Sequence, residues 1–245
     1  MVSGKYSALS GAVAKEMAMG NVASNLANVN TTGFKKDRIS FAAILRGAKQ
    51  TTNAQGINFS KIRKIGTDFS QGGMQPTGRP LDVAIDGEGF FKVKQNNEIF
   101  YTRTGKLMLD ETGMVKTQDG LNVLGTSNQP LQLDTKAGDE IVIAGSGNIS
   151  LNGKMVDDKI QVFTVADQAK LTKVGNSLYK LEEGTIDQPV EASRVLQGNL
   201  ETSNVNMMEE MTTMINNQRS FETHNKMLES YATIDAKLDE LGSIG

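Results

Sequence analysis

The stretch NMMEEMTTMINNQRSFETHNKMLESYATIDAKLDEL, residues 206–241, decides the architecture. Asn206 followed by Glu209 is the residue pair of a capping box, in which side chains satisfy the free N–H groups of a first helical turn. Met207, Met211, Met214, Gln218, Phe221, Asn225 and Leu228 then alternate steps of four and three, the rhythm of one helix face. A second row of Met227, Tyr231, Ile234, Leu238 and Leu241 continues it. Neither Pro nor Gly interrupts residues 207–241, so the spacing predicts a helix of about 50 Å at 1.5 Å per residue. A stripe this narrow on a helix this long asks for a helical partner, because burial of a face supplies most helical stability.

The other end of the chain offers one. All four prolines (Pro76, Pro80, Pro130, Pro189) lie in the middle, leaving both ends free of helix breakers. Val2, Tyr6, Leu9, Val13 and Met17 recur at helical spacing, and Val22, Leu26 and Val29 resume after a shift at Gly20. The pattern is expected to end in Asn30-Thr31-Thr32-Gly33, with Gly33 in the left-handed conformation. Between about residues 75 and 197 the period changes to 2, in Leu81–Ile85, Lys106–Leu109, Ile141–Ile143 and Ile160–Val165. Turn pairs separate these strands: Asn96-Asn97, Thr112-Gly113, Asp119-Gly120, Asn152-Gly153 and Glu183-Gly184. No helix-length pattern intervenes, so the middle reads as antiparallel all-β. Residues 34–74 hold a basic start, an amphipathic piece from Ile39 to Leu45, a polar stretch around Thr51–Gly56 and a Gln71-Gly72-Gly73 turn, which suits an extended connector.

The expected fold is therefore α+β and multi-domain. Long terminal helices form a discontinuous, coiled-coil-like domain from residues 1–33 and 204–245, followed by the connector at 34–74 and a β-rich outer domain at 75–197. Two slender helices bury little surface against an ordering cost of roughly 1–2 kcal/mol per residue, so the pair should be marginal alone and completed by neighbouring molecules.

Composition excludes most chemistry. The 245 residues carry a net charge of −2 and include no Cys and one His, which removes thiol nucleophiles, Cys-based zinc sites and multi-imidazole metal centres. His224 lacks a partner for ligation and reads as a surface or interface residue. Gly87-Glu88-Gly89 lacks the third glycine of a nucleotide loop, Lys92 standing there, and reads as a tight turn. Adjacent acids at 157–158, 182–183 and 209–210 point apart on a strand or helix, so no catalytic residue, cofactor or metal is expected. The cations at Lys35-Lys36 and at Lys61, Arg63 and Lys64 read as exposed connector faces, since near-neutral charge gives no nucleic-acid footprint. Met207, Met208, Met211 and Met214 recur at helical spacing and read as adaptable packing. No stretch approaches the roughly 18 apolar residues of a spanning helix, so no membrane insertion is expected, and the N-terminus lacks the pattern of a cleaved secretory signal.

Four segments carry a resemblance. Asn25-Leu26-Ala27-Asn28-Val29-Asn30-Thr31-Thr32-Gly33-Phe34-Lys35 resembles the N-terminal signature of the bacterial flagellar rod and hook proteins. Residues 80–91 (PLDVAIDGEGFF), 101–105 (YTRTG) and 198–206 (GNLETSNVN), leading to 218–222 (QRSFE), agree in order. The short connector, the Thr77-Gly78-Arg79-Pro80 lead-in and the length are most similar to the proximal-rod branch, with the distal-rod branch as runner-up. The resemblance implies terminal helices packed as an inner tube around an export channel, the β domain outside, uncleaved passage through the flagellar export apparatus, and assembly in the periplasm with copies of itself and other rod proteins. The expected assembly interface comprises Leu9, Val13, Leu26, Met211, Met214, Gln218, Phe221 and Leu228, with Gly33 and Phe34, and with Asn25, Asn28, Ser203 and Asn204 hydrogen-bonded at joints. A secreted oligomeric adhesin or interaction module is the reading from a different class.

Overall fold

Both termini are helical: α1 spans Val2–Ala27 and α2 Met207–Gly242. The computed structural model describes residues 2–46, 57–134, 139–190 and 192–242, and the Thr51–Gly56 stretch lies outside them. The chain is α+β, with a central antiparallel β region between the two helices. It divides into two compact units, one built from Met1–Ala27, Asp37–Asp68 and Asn206–Gly245, the other from Asn28–Lys36 and Phe69–Val205.

In the first unit α1 and α2 run antiparallel. The sense follows from paired residues: a Cβ on Gly4 would stand 2.6 Å from Tyr231 Oη, one on Gly11 would stand 2.5 Å from His224 Cε1, and Asn25 Nδ2 donates to Glu210 Oε2 at 3.3 Å. Lys15 Nζ donates to Asn217 Oδ1 at 3.2 Å, and Lys5 pairs with Asp235. Along α1 the buried and half-buried row is Gly4, Ala8, Gly11, Lys15, Ala18, Val22 and Asn25, and along α2 it is Glu210, Met214, Asn217, Phe221, His224, Leu228, Tyr231 and Asp235. Both rows step by alternating three and four. Small residues on α1 thus admit the large side chains of α2, the arrangement that lets helix backbones approach closely.

Asn206 caps α2 as its sequence predicts, its Oδ1 accepting from the Met208 and Glu209 N–H groups at 3.1 and 3.4 Å. Helix α1 ends earlier than the pattern suggests, at Ala27 instead of near Gly33. Beyond that end the chain turns back over the helix, where buried Asn25 accepts from Asp37 N and donates to Asp37 O, both at 3.0 Å. Residues 37–46 and 57–67, read above as part of an extended connector with an amphipathic piece, form an antiparallel pair of long strands, β1 (Asp37–Arg46) and β2 (Ile57–Thr67), with a register shift between Ser40 and Phe41. The pair belongs with the helices, and Thr67 Oγ1 donating to Asp37 Oδ1 at 2.8 Å fastens its base.

Among the described residues, the regular structure of the second unit is β apart from a short turn of 3-10 helix at Gln168–Lys170. A nine-stranded antiparallel sheet carries Phe90–Gln95 at its centre, paired with Glu98–Thr102, Asn122–Val123 and Val162–Val165. Three further strands, Ile141–Ile143, Asn148–Leu151 and Lys154–Lys159, form a separate meander. Asn96-Asn97 and Asn152-Gly153 turn with positive φ (45° and 75°; 50° and 77°), as tight hairpins demand. Buried Val83, Ile85, Phe91, Val93, Leu107, Leu131 and Ile160 anchor one core cluster. Phe90 and Tyr179 anchor a second, where Phe69 stacks edge-on against Phe90 at 5.3 Å. Burying one such ring contributes roughly 1.5–3 kcal/mol.

Candidate assembly surface

The helix pair of the first unit leaves many of its large apolar residues outside the seam. Tyr6, Leu9, Val13 and Met17, the stripe that reads from sequence as the partner face of α1, are 56, 48, 42 and 58% exposed. The smaller Ala and Gly row took the seam with α2, so the stripe lies on the far side of the helix, about half a turn away at 100° per residue. On α2, Met214, Phe221 and Leu228 fall in the seam, half-buried, while Gln218 is exposed and donates to Glu222 Oε1 at 3.3 Å. Met207, Met208, Met211 and Ile215 stay exposed toward its start, and Met227, Ile234 and Leu238 toward its end. Leu26 is half-buried.

His224, expected at a surface or interface, sits in the seam with its ring over Gly11, and among the described residues its Nδ1 has no hydrogen-bond partner. Sequence reasoning missed Asn217 and Asp235 as seam positions because they are polar, and left His224 open between a surface and an interface. The signal that could have found them is the unbroken alternation of three and four running through Phe221, Leu228 and Tyr231.

The remaining interface candidates fall in the second unit and mostly inside it. Gly33, Phe34 and Ser203 are buried, so they offer no surface of their own. Gly33 has φ +68°, and a Cβ there would stand 2.5 Å from the Arg103 carbonyl carbon; only glycine fits. Its N–H donates to Glu201 O at 2.8 Å. Asn204 Oδ1 accepts from Lys36 N at 2.8 Å, and its Nδ2 donates to Ser70 O at 3.0 Å. Half-buried Asn28 accepts locally, from Thr31 Oγ1 at 3.1 Å. Ser203 Oγ accepts from Val205 N at 3.3 Å.

Lys35, read from sequence as an exposed cation, is fully buried. Its Nζ donates to Glu201 Oε1 at 2.5 Å and to Ser70 O at 2.7 Å. Glu201 also accepts from Gly72 N at 2.9 Å and, through Oε2, from Arg103 Nη1 at 3.1 Å. Arg103 Nη2 donates to Gly87 O at 2.9 Å, and the guanidinium lies 5.4 Å from the Phe90 ring centre. Burial pushes the Arg103 pKa below its ordinary value, and the Glu201 carboxylate opposes that push. Residues 35, 87, 103 and 201 come from the four separate signature segments, which therefore converge on one buried ion cluster.

No group of His, Asp and Glu among the described residues is placed to hold a metal ion, and no described helix is long and apolar enough to cross a membrane. Three family models match along the chain: flagella basal body rod protein at residues 6–35, flagellar hook protein FlgE/F/G D1 domain at 84–151, and flagellar basal body rod FlgEFG protein C-terminal at 196–241. Similar proteins include flagellar basal-body rod protein FlgG of Bacillus subtilis, 34% identical over 98% of both chains. FlgF of Caulobacter vibrioides is 34% identical over 91% of both, and FlgF of Rhizobium meliloti 31% over 99% of both. The segments that carry the resemblance are those that meet at the ion cluster and in the helix pair, and the chain belongs to the flagellar basal-body rod and hook family of structural proteins.

Proposed function

We propose that the chain is an axial subunit of the flagellar rod. Its terminal helices polymerise, coiled-coil fashion, with copies of itself and other rod proteins into a hollow periplasmic shaft that transmits torque and lines the export channel. The chain reaches that site through the flagellar export apparatus with its N-terminus uncleaved. The observation that carries the reading is the exposed stripe of Tyr6, Leu9, Val13 and Met17 on α1, since contiguous apolar rows on a soluble surface mark interaction sites. A rod needs stiffness more than chemistry, and helices locked along their length supply it.

Within the family we assign the chain to the proximal rod, as a FlgF-type subunit, on its short segment between α1 and the β region and its likeness to FlgF proteins. The distal reading draws on the FlgG relative, matched over 98% of both chains. Deletion followed by electron microscopy of purified basal bodies separates the two: loss of a proximal subunit removes everything beyond it, whereas loss of a distal subunit leaves a rod stub. Complementation with Leu9→Asp/Val13→Asp should fail to restore the rod while the purified variant keeps the helical content of the parent. Full motility in that variant refutes the assembly reading, and unchanged basal bodies in the deletion strain favour a secreted interaction module instead.

A further inference from the structure

We propose that the α1 stripe of one copy, Tyr6 to Met17, packs antiparallel on the Met227, Ile234 and Leu238 row of α2 in a second copy, and that this contact repeats in one direction without closing on itself. The inference rests on the rod-subunit reading and deepens it by naming the two faces that meet.

Both faces lack cover in the single chain. The stripe residues are 42–58% exposed, and Met227, Ile234 and Leu238 are 49, 46 and 46% exposed. They cannot meet within one molecule, because α1 and α2 already face each other through the Gly11 and His224 row and the stripe is on the opposite side of α1. The partner therefore has to be another chain, and the spacing fits a second copy. Tyr6 to Met17 and Met227 to Leu238 each span eleven steps, about 16 Å of helix. Laid antiparallel, Tyr6 falls opposite Leu238 and Met17 opposite Met227, with Leu9 within one residue of Ile234. This repeats the sense in which α1 already packs on α2. The other exposed row, Met207 to Ile215, is shorter and leaves Met17 with nothing opposite.

The same arithmetic gives the assembly its direction. Inside one chain the opposed pairs Gly4 and Tyr231, Gly11 and His224, and Asn25 and Glu210 have residue numbers that total 235. The pairs of the proposed contact total 244. The second copy is thus displaced by nine residues, about 13–14 Å along the helix axis. A contact between two different faces with a displacement is heterologous, and such contacts generate open assemblies instead of two-fold dimers.

The chain contains no cysteine, so cysteine pairs test the contact directly. Leu9→Cys and Ile234→Cys, both at exposed positions, are combined in the full-length protein, which is oxidised and run on a denaturing, non-reducing gel. The expected result is a ladder of dimers, trimers and higher species that empties most of the monomer band, while each single-cysteine variant stays monomeric. A dimer band alone, or no bands above monomer, overturns the contact. A ladder from Leu9→Cys/Met211→Cys but not from Leu9→Cys/Ile234→Cys overturns it in favour of the methionine row. Immunoblots of basal bodies from cells making the double variant keep the two readings apart. Chain present there without the cross-link overturns the contact and leaves the rod reading intact. A ladder in solution with chain absent from basal bodies overturns the rod reading and leaves the contact intact.

Discussion

Replacing Glu201 by Gln should be among the costliest conservative changes in the β unit. The carboxylate is 1% exposed and stands between Lys35 and Arg103, which are 0 and 3% exposed, at 2.5 and 3.1 Å. At about 3 Å and an effective dielectric constant near 20, each attraction is roughly 5–6 kcal/mol before desolvation is counted. Without the carboxylate two buried cations lose their counter-ion, and breaking a buried pair in this way costs about 3–5 kcal/mol. For a unit of this size, each kcal/mol shifts the melting temperature by about 2–4 °C, so Glu201→Gln should lower it by roughly 6–20 °C in calorimetry. The sign of a second change is the sharper test. In the parent, Lys35→Met removes one partner of Glu201 and destabilises; in the Glu201→Gln background it removes a surplus buried cation and should restore part of the loss. A double-mutant cycle measures that reversal. If Lys35→Met costs the same in both backgrounds, or Glu201→Gln shifts the transition by under about 2 °C, the cluster is not held by charge and the reasoning fails.

Two further outcomes follow from the helix seam and the second core. Gly11→Ala puts a methyl 2.5 Å from His224 Cε1; crowding of about 1–3 kcal/mol outweighs the gain of about 1 kcal/mol in helix propensity. In a His224→Ala background the same change should become stabilising, and urea midpoints that fail to change sign would count against the close approach. Burial, and then the charge and hydrogen bond of Asp187, raise the Tyr101 pKa above its ordinary value. A group with a raised folded pKa contributes stability that is complete below the unfolded pKa, about 10, and is lost as the pH rises through the folded value. Tyr101→Phe should therefore flatten the alkaline limb of stability against pH, and an unaltered limb would contradict the assignment.

The elements that follow a strong period were legible in the sequence. The capped start of α2, the β middle and the Asn152-Gly153 turn needed only local chemistry, because each is set by residues a few positions apart. The ion cluster was not legible as such. Lys35, Arg103 and Glu201 are separated by 68 and 98 positions, and nothing local distinguishes a lysine that will be fully buried from one in solvent. Asn25 was legible as a hydrogen-bonded residue, but its partner was not, since the amide clamps the peptide of Asp37 through a turn no pattern announced. The long strands β1 and β2 were hidden for a related reason: among the described strands they pair only with each other, and such a pair needs no strict alternation of buried and exposed residues.

The α1 stripe shows where hydrophobic patterning misleads and where it remains informative. A reader of periodicity gives most weight to Tyr6, Leu9, Val13 and Met17, because they are large, and assigns them to the partner in the same chain. Close packing obeys a different rule: the face that comes nearest to a neighbouring helix is the one with the least side chain in the way. Gly4, Ala8, Gly11 and Ala18 let Tyr231, Phe221 and His224 fill the gap from the α2 side, and the seam closes without the large stripe. That leaves four apolar side chains on α1 outside the seam and 42–58% exposed. Had the stripe been spent on α2, the helix pair would be complete in the single chain and have little to offer a neighbour. In the assembly proposed above, small residues inside and large ones outside would let one helix serve two contacts at once, one within its own chain and one beyond it.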